Sequence, residues 1–217
     1  MGHTPIVVAT LDGHPLAIPR PTLAEALRAA SAAAKALGRV IVEVKADGEQ
    51  IPDDALARPS EELTTVRSLT FISADPKQLV GQTLLDAAAA LDDVLGEQQM
   101  VSDLVQMGRT EEAIDPLRRV LTTWQAARDV VDRGSALLGI NVNTLKLEGL
   151  DAEEGFEGST RSLRENLRAL RDAMEAEDWS AVSDVVAYDL DAQAKRWSGL
   201  LRALATHVGS RPGGPGE

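Results

Sequence analysis

The hydrophobic pattern changes period near Asp75, and nothing else in the chain constrains its fold as strongly. Before that point, short runs alternate apolar and polar residues and flank one helical stretch. After it, apolar residues recur every three to four positions almost without interruption. The expected architecture is α+β: a small module over residues 1–75, an antiparallel bundle of about four helices over 76–209, and a tail, 210–217, whose Gly and Pro content predicts disorder.

In the first module, residues 6–11 read as a strand. Asp12-Gly13 supplies the dipeptide favoured in type I′ hairpins, and residues 16–18 return. Pro15 lacks an N–H and places the returning strand at an edge. Thr22 and Glu25 have capping-box spacing at the start of a helix that ends near Gly38. Residues 40–44 form the clearest strand, with Val40, Val42 and Val44 on one face. Asp47-Gly48 is a second turn, Ser60 with Glu61 and Glu62 reads as a helix start, and residues 66–72 are a last strand with Leu69 and Phe71 on one side. The order hairpin, helix, strand, short strand, strand resembles a β-grasp, the ubiquitin-like arrangement in which one helix crosses a mixed sheet. A split βαβ variant has a similar order. Such a resemblance implies a recognition module or a structural cap, and no particular activity.

Beyond Asp75, Pro76 suits the first turn of a long helix along Leu79, Val80, Leu84, Ala87, Leu91, Val94 and Leu95, with Gly96 a point of kinking or interruption and Met100, Val101, Leu104 and Met107 continuing the stripe. A second helix from Thr110 carries Leu117, Val120, Leu121, Trp124, Ala127, Val131 and Leu138, with small residues at Gly134-Ser135-Ala136 and an end at Gly139. The first two helices together suggest a hairpin about 45 Å long at ~1.5 Å per residue. Residues 140–158 read as a long connection. Ser162 and Glu165 form another capping box, opening a third helix to about Glu177. Asp178 caps a fourth, which runs past Trp197 to about Val208.

Composition limits the chemistry. The chain carries 34 acidic and 22 basic residues, a formal net charge of −12, with −3 in residues 1–75 and −9 in 76–217. Such a surface repels phosphate backbones, so nucleic acid is not an expected partner. There is no cysteine, which removes disulfides and thiolate chemistry. No secretory leader is apparent, Ile6 stands where myristoylation needs Ser or Thr, and no apolar run approaches ~18 residues. The expectation is a cytoplasmic protein, with no membrane partner, of a composition common in GC-rich bacteria.

The usual catalytic constellations are missing. His3, His14 and His207 are scattered, no Glu-x-x-His pair serves a di-iron bundle, and no phosphate loop or nucleophile elbow occurs. Residues 151–162 hint at a calcium loop, yet Phe156 stands at its obligatory Gly and Ser162 at its Glu. No metal and no cofactor is expected. The candidate functional residues are Arg161, Arg164, Arg168 and Arg171, whose spacings of 3, 4 and 3 stack them on one side of the third helix, together with Trp179 just after a cap. The ridge fits an acidic partner or a phosphorylated ligand through arginine forks; pairing with Glu165, Asp172 and Glu175 would make it purely structural. Trp124 and Trp197 read as core anchors. The expected function is non-enzymatic protein–protein interaction, as an adaptor, scaffold or chaperone-like protein, with another protein or a second copy as partner. The alternative is a binder of small molecules or anions, or an enzyme, using carboxylates and the ridge at the module junction.

Overall fold

A computed structural model of the chain describes residues 7–62, 65–145 and 155–210. The chain divides into two compact units, residues 1–76 and 77–217. In the first, β1 (Val8–Leu11) and β2 (His14–Leu16) form a hairpin, and α1 (Leu23–Ala36), β3 (Val40–Ala46), β4 (Glu49–Gln50), the short α2 (Asp53–Ala57) and β5 (Ser68–Ala74) follow. The sheet order is β2-β1-β5-β3-β4, with β1 parallel to β5 and the other pairs antiparallel. This is a β-grasp-like α+β arrangement. Pro15 lies on edge strand β2, opposite Thr10, where a missing N–H is tolerated. Ala26, Ala30 and Ala34 of α1 pack with Ala9, Leu11, Val44, Leu69 and Phe71 of the sheet.

Both Asp–Gly turns have positive φ at both residues, 50° and 81° at Asp12-Gly13 and 49° and 89° at Asp47-Gly48, as type I′ hairpins require. The aspartates also serve the central strand. Where β1 ends, the Asp12 carboxylate takes the Ser73 N–H at 2.8 Å and the Ser73 hydroxyl at 2.5 Å, and Arg39 stands 3.6 Å away. At the other end of β5, Asp47 accepts the Arg67 and Ser68 amides at 2.9 and 2.8 Å. Each turn thus continues the hydrogen-bonding ladder that its strand has left. These bonds, from Ser73 to Asp12 and from Ser68 to Asp47, hold both carboxyls below the ordinary value of 3.8.

The first unit departs from the sequence reading at four places. A bulge between Ile41 and Glu43 makes Val42 the extra residue of β3, so Val42 is exposed while Ile41, Val44 and Ala46 face the core; strict alternation had put Val40, Val42 and Val44 together. Ser60 starts no helix: its hydroxyl accepts the Glu62 amide, a local turn that competes with helix formation. The capping box of α1 is half formed. Thr22 accepts the Glu25 N–H at 3.1 Å, but the Glu25 carboxylate is engaged by Arg28, and the Thr22 amide bonds the Arg20 carbonyl. Finally, β2 begins before Pro15 because His14 pairs with Leu11 of β1, and β5 runs on to Ala74 because β3 pairs its last residues, Ala74 with Val40.

The second unit contains α3 (Pro76–Gln106), α4 (Thr110–Leu138), a 3-10 turn (Val142–Thr144), α5 (Phe156–Glu175), α6 (Trp179–Asp184), a π-helical segment (Val185–Leu190) and α7 (Asp191–Ser210). From α6 to α7 the chain is a single rod, so four long helices build the unit. Its core joins Leu84 and Leu91 of α3, Leu117 and Trp124 of α4, Leu163 and Leu170 of α5, and Leu190, Trp197 and Leu201 of the rod. Trp197 is the hub. Trp124 and Phe156 both meet its ring edge-to-face with centroids 5.9 Å away, and its Nε1–H points to the Ser159 carbonyl at 3.5 Å. A Cβ on Gly134 would lie 2.9 Å from Val80 Cγ1, the reason for small residues there.

Four details differ from the sequence reading here. Gly96 does not interrupt α3. Leu79, Met100, Met107 and Leu121 are exposed, while Gln98, Val101 and Ser102 occupy the buried stripe of α3; buried Ser102 meets Ser183 at 2.8 Å, which is how a polar residue enters an apolar seam. The third helix starts at Phe156 rather than Ser162, because Phe156 and Ser159 lie on the same buried face as Leu163; Ser162 is therefore inside the helix and caps nothing. Ser210 still belongs to α7; the rest of the expected tail, 211–217, lies outside the described residues, as do 146–154 of the long connection.

Asp47→Ala speeds amide exchange at Ser68 by on the order of tenfold, while Asp47→Asn, which tolerates the positive φ and keeps an acceptor, has a smaller effect. Because both carboxyls are depressed in the fold, their stabilisation is complete above the unfolded value near 3.8 and disappears as pH falls through the folded values. Protection factors at Ser68 and Ser73 fall over that acidic window in the wild type and stay flat in the Asp12→Asn, Asp47→Asn double variant. In the second unit, Trp197→Ala costs about 3–5 kcal/mol, read by urea unfolding, because it removes a side chain that three helices share.

Candidate functional site

The helical unit presents its arginines unevenly. On α5 the buried face is Phe156, Ser159, Leu163, Leu170 and Ala173, flanked by half-buried Thr160 and Leu167. Arg161, Arg164, Arg168 and Arg171 stand beyond that flank, all exposed. The fold brings three of them, Arg164, Arg168 and Arg171, to a groove with Arg128 of α4, Thr160, Leu163 and Leu167. The groove encloses about 170 Å³ and is made entirely by residues of the helical unit. Arg161 does not line it. It points to Glu157 at 3.4 Å.

Ion pairing separates these arginines further. Arg171 is tied to Asp172 at 2.6 Å and to Glu175 at 3.7 Å, which raises its pKa, Asp172 contributing most. Arg128, Arg164 and Arg168 have no carboxylate partner among the described residues. Elsewhere in the unit Arg109, Arg118, Arg119, Arg133 and Arg202 all have one, and Arg196 is the further arginine that stands alone. Three of the four unpaired guanidiniums in the described part of the unit therefore collect at one groove.

Spacing alone would not have selected them. Asp132 stands four residues after Arg128 and Asp172 four after Arg168, the usual spacing of helical ion pairs. In the structure Arg128 and Asp132 do not pair, and Asp172 is taken by Arg171. Arg128 was absent from the sequence-derived candidates because its place beside α5 depends on which helices are neighbours, and no local signal marks it.

Trp179 is half-buried and packs against the helical core rather than at the groove. Tyr188 is 71 % exposed on the π-helical segment, beside buried Val185, Val186 and Leu190. A second concavity of about 410 Å³ lies between α3 and α4, lined mainly by Leu79, Val80, Val130, Gly134 and Leu137; its two charges, Asp129 and Arg133, face each other at 3.7 Å. Among the described residues no group of three His, Asp or Glu side chains is placed to hold a metal, and no helix is long and apolar enough to cross a membrane. Asp151–Glu154 of the calcium-like stretch lie outside those residues, and Phe156 and Glu157 belong to α5.

Residues 82–200 match a family model described as Domain of unknown function (DUF8042). The match covers more than half of the chain and runs from α3 into α7, so it includes the arginine groove and the aromatic hub. No curated protein and no solved structure matches the chain significantly.

Arginines without partners contribute little to folding. Arg164→Gln with Arg168→Gln leaves the melting temperature within about 2 °C of wild type. Arg202→Gln lowers it by about 2–4 °C, because Arg202 binds the Asp92 carboxylate that also accepts the Ser198 hydroxyl. Differential scanning calorimetry of the three proteins distinguishes these outcomes.

Proposed function

We propose that this chain, which belongs to the DUF8042 family, is a non-enzymatic interaction protein that docks an acidic segment of a partner protein in the groove between α4 and α5. One observation carries the reading: Arg128, Arg164 and Arg168 converge there without carboxylate partners, in a unit whose net charge is −9. Arginines left unpaired on such a surface are poised for carboxylates from outside, and two-helix presentation lets several forks grip one segment. Leu163 and Leu167 give the groove an apolar floor on which the segment's aliphatic parts can rest. A second copy of the chain is one source of such a segment, since its own surface is rich in Asp and Glu. The role suits a cytoplasmic protein.

Fluorescence anisotropy with a labelled Asp- and Glu-rich peptide tests the proposal. Binding is expected at low salt, weakening as salt rises, with a loss of at least about tenfold on joint Arg128→Glu, Arg164→Glu and Arg168→Glu substitution. Equal binding by the triple variant, or none by the wild type at low salt, overturns it.

A further inference from the structure

We infer that the groove is built for a phosphoryl group carried on a side chain of the docked segment, an inference that rests on the docking reading above. The number and placement of the unpaired donors carry it. Arg164 and Arg168 stand one turn apart on α5, and Arg128 reaches the same groove from α4. A carboxylate is planar, and one guanidinium fork can satisfy both of its oxygens. Its acceptor sites, about four in number, all lie in that plane, so forks arriving from two helices match it less well. A phosphoryl group presents three terminal oxygens in tetrahedral directions and accepts from forks on both sides at once. The hydroxyl of Thr160, in the same lining, is one further donor for such a group.

Charge supports the same choice. The chain as a whole repels anions, so a ligand must draw strongly on the few local cations to stay bound. A phosphorylated side chain carries about −1.5 to −2 at pH 7, against −1 for Asp or Glu, and gains correspondingly more from each guanidinium. Its second proton leaves near pH 6. The charged groups lining the groove are Arg128 on α4 and Arg164, Arg168 and Arg171 on α5, and guanidiniums stay protonated in proteins. A pH dependence between 5.5 and 7.5 would therefore come from the ligand, and a carboxylate peptide would lack it.

The test uses the full chain and isothermal titration with four probes: an acidic peptide with one phosphoserine, the same peptide with Glu at that position, the same peptide with Ser, and inorganic phosphate. The phosphopeptide is expected to bind at least about tenfold more tightly than the Glu peptide and to tighten by about threefold or more from pH 5.5 to 7.5, while the Glu peptide changes little. Joint Arg128→Gln, Arg164→Gln and Arg168→Gln substitution is expected to remove that preference while the circular dichroism spectrum and melting temperature are retained. Equal affinities for the phosphoserine and Glu peptides, with no pH dependence, overturn the phosphoryl inference and leave the docking reading standing. Inorganic phosphate binding as tightly as the phosphopeptide also overturns it, because the site would then take a free anion rather than a segment. Binding by none of the peptides overturns both readings.

Discussion

The helical unit depends on the contact of Trp197 with Trp124 and Phe156. Those three rings come from α7, α4 and α5, and each edge-to-face pair is satisfied only if the three helices keep their relative height and rotation. The rest of the unit inherits that constraint. Phe156 draws the first turns of α5 into the helix, and Ser159 is placed to receive the Trp197 N–H. With α4 and α5 held side by side, Arg128 comes into line with Arg164 and Arg168. The groove is thus a consequence of core packing, although none of its arginines takes part in that packing.

Against this apolar hub stands a polar seam between α3 and the α6–α7 rod. Ser102 and Ser183 share a buried hydrogen bond, and Asp92 accepts from Ser198 and pairs with Arg202. Gln98, one turn before Ser102, is buried with neither amide atom bonded among the described residues. A buried amide without partners costs free energy that a leucine would not. The π-helical segment Val185–Leu190 lies in the rod next to Ser183 and keeps Val185, Val186 and Leu190 buried while Tyr188 faces solvent. Directional hydrogen bonds set the register of this seam, whereas ring stacking sets it at the hub.

The two units use charge differently. In the sheet unit, Asp12 and Asp47 are structural, since each supplies a left-handed turn residue and an acceptor for β5. In the helical unit seven of the eleven described arginines are neutralised by acids along or between helices, in exposed pairs worth roughly 0–1 kcal/mol each. Three of the four exceptions line the groove, and unpaired guanidiniums that contribute little to folding are free to serve binding.

Much of this molecule is determined by local chemistry that sequence carries on its face. Asp-Gly pairs require positive φ and so fix two hairpins; period-two and period-3.6 patterns separate sheet from bundle; Trp124 and Trp197 lie on apolar stripes and belong to the core. The arginine spacing on α5 likewise follows from helix geometry alone. What only tertiary structure decided is what depends on neighbours distant in sequence. The bulge at Val42 arises from pairing with β5, the early start of α5 from Phe156 meeting Trp197, and the burial of Ser102 from a partner 81 residues away. The groove belongs to the same class. Spacing places Arg161 with the ridge and passes over Arg128, because helical periodicity knows only its own helix. Which arginines remain unpaired, and that three of them meet, depended on the packing of α4 against α5.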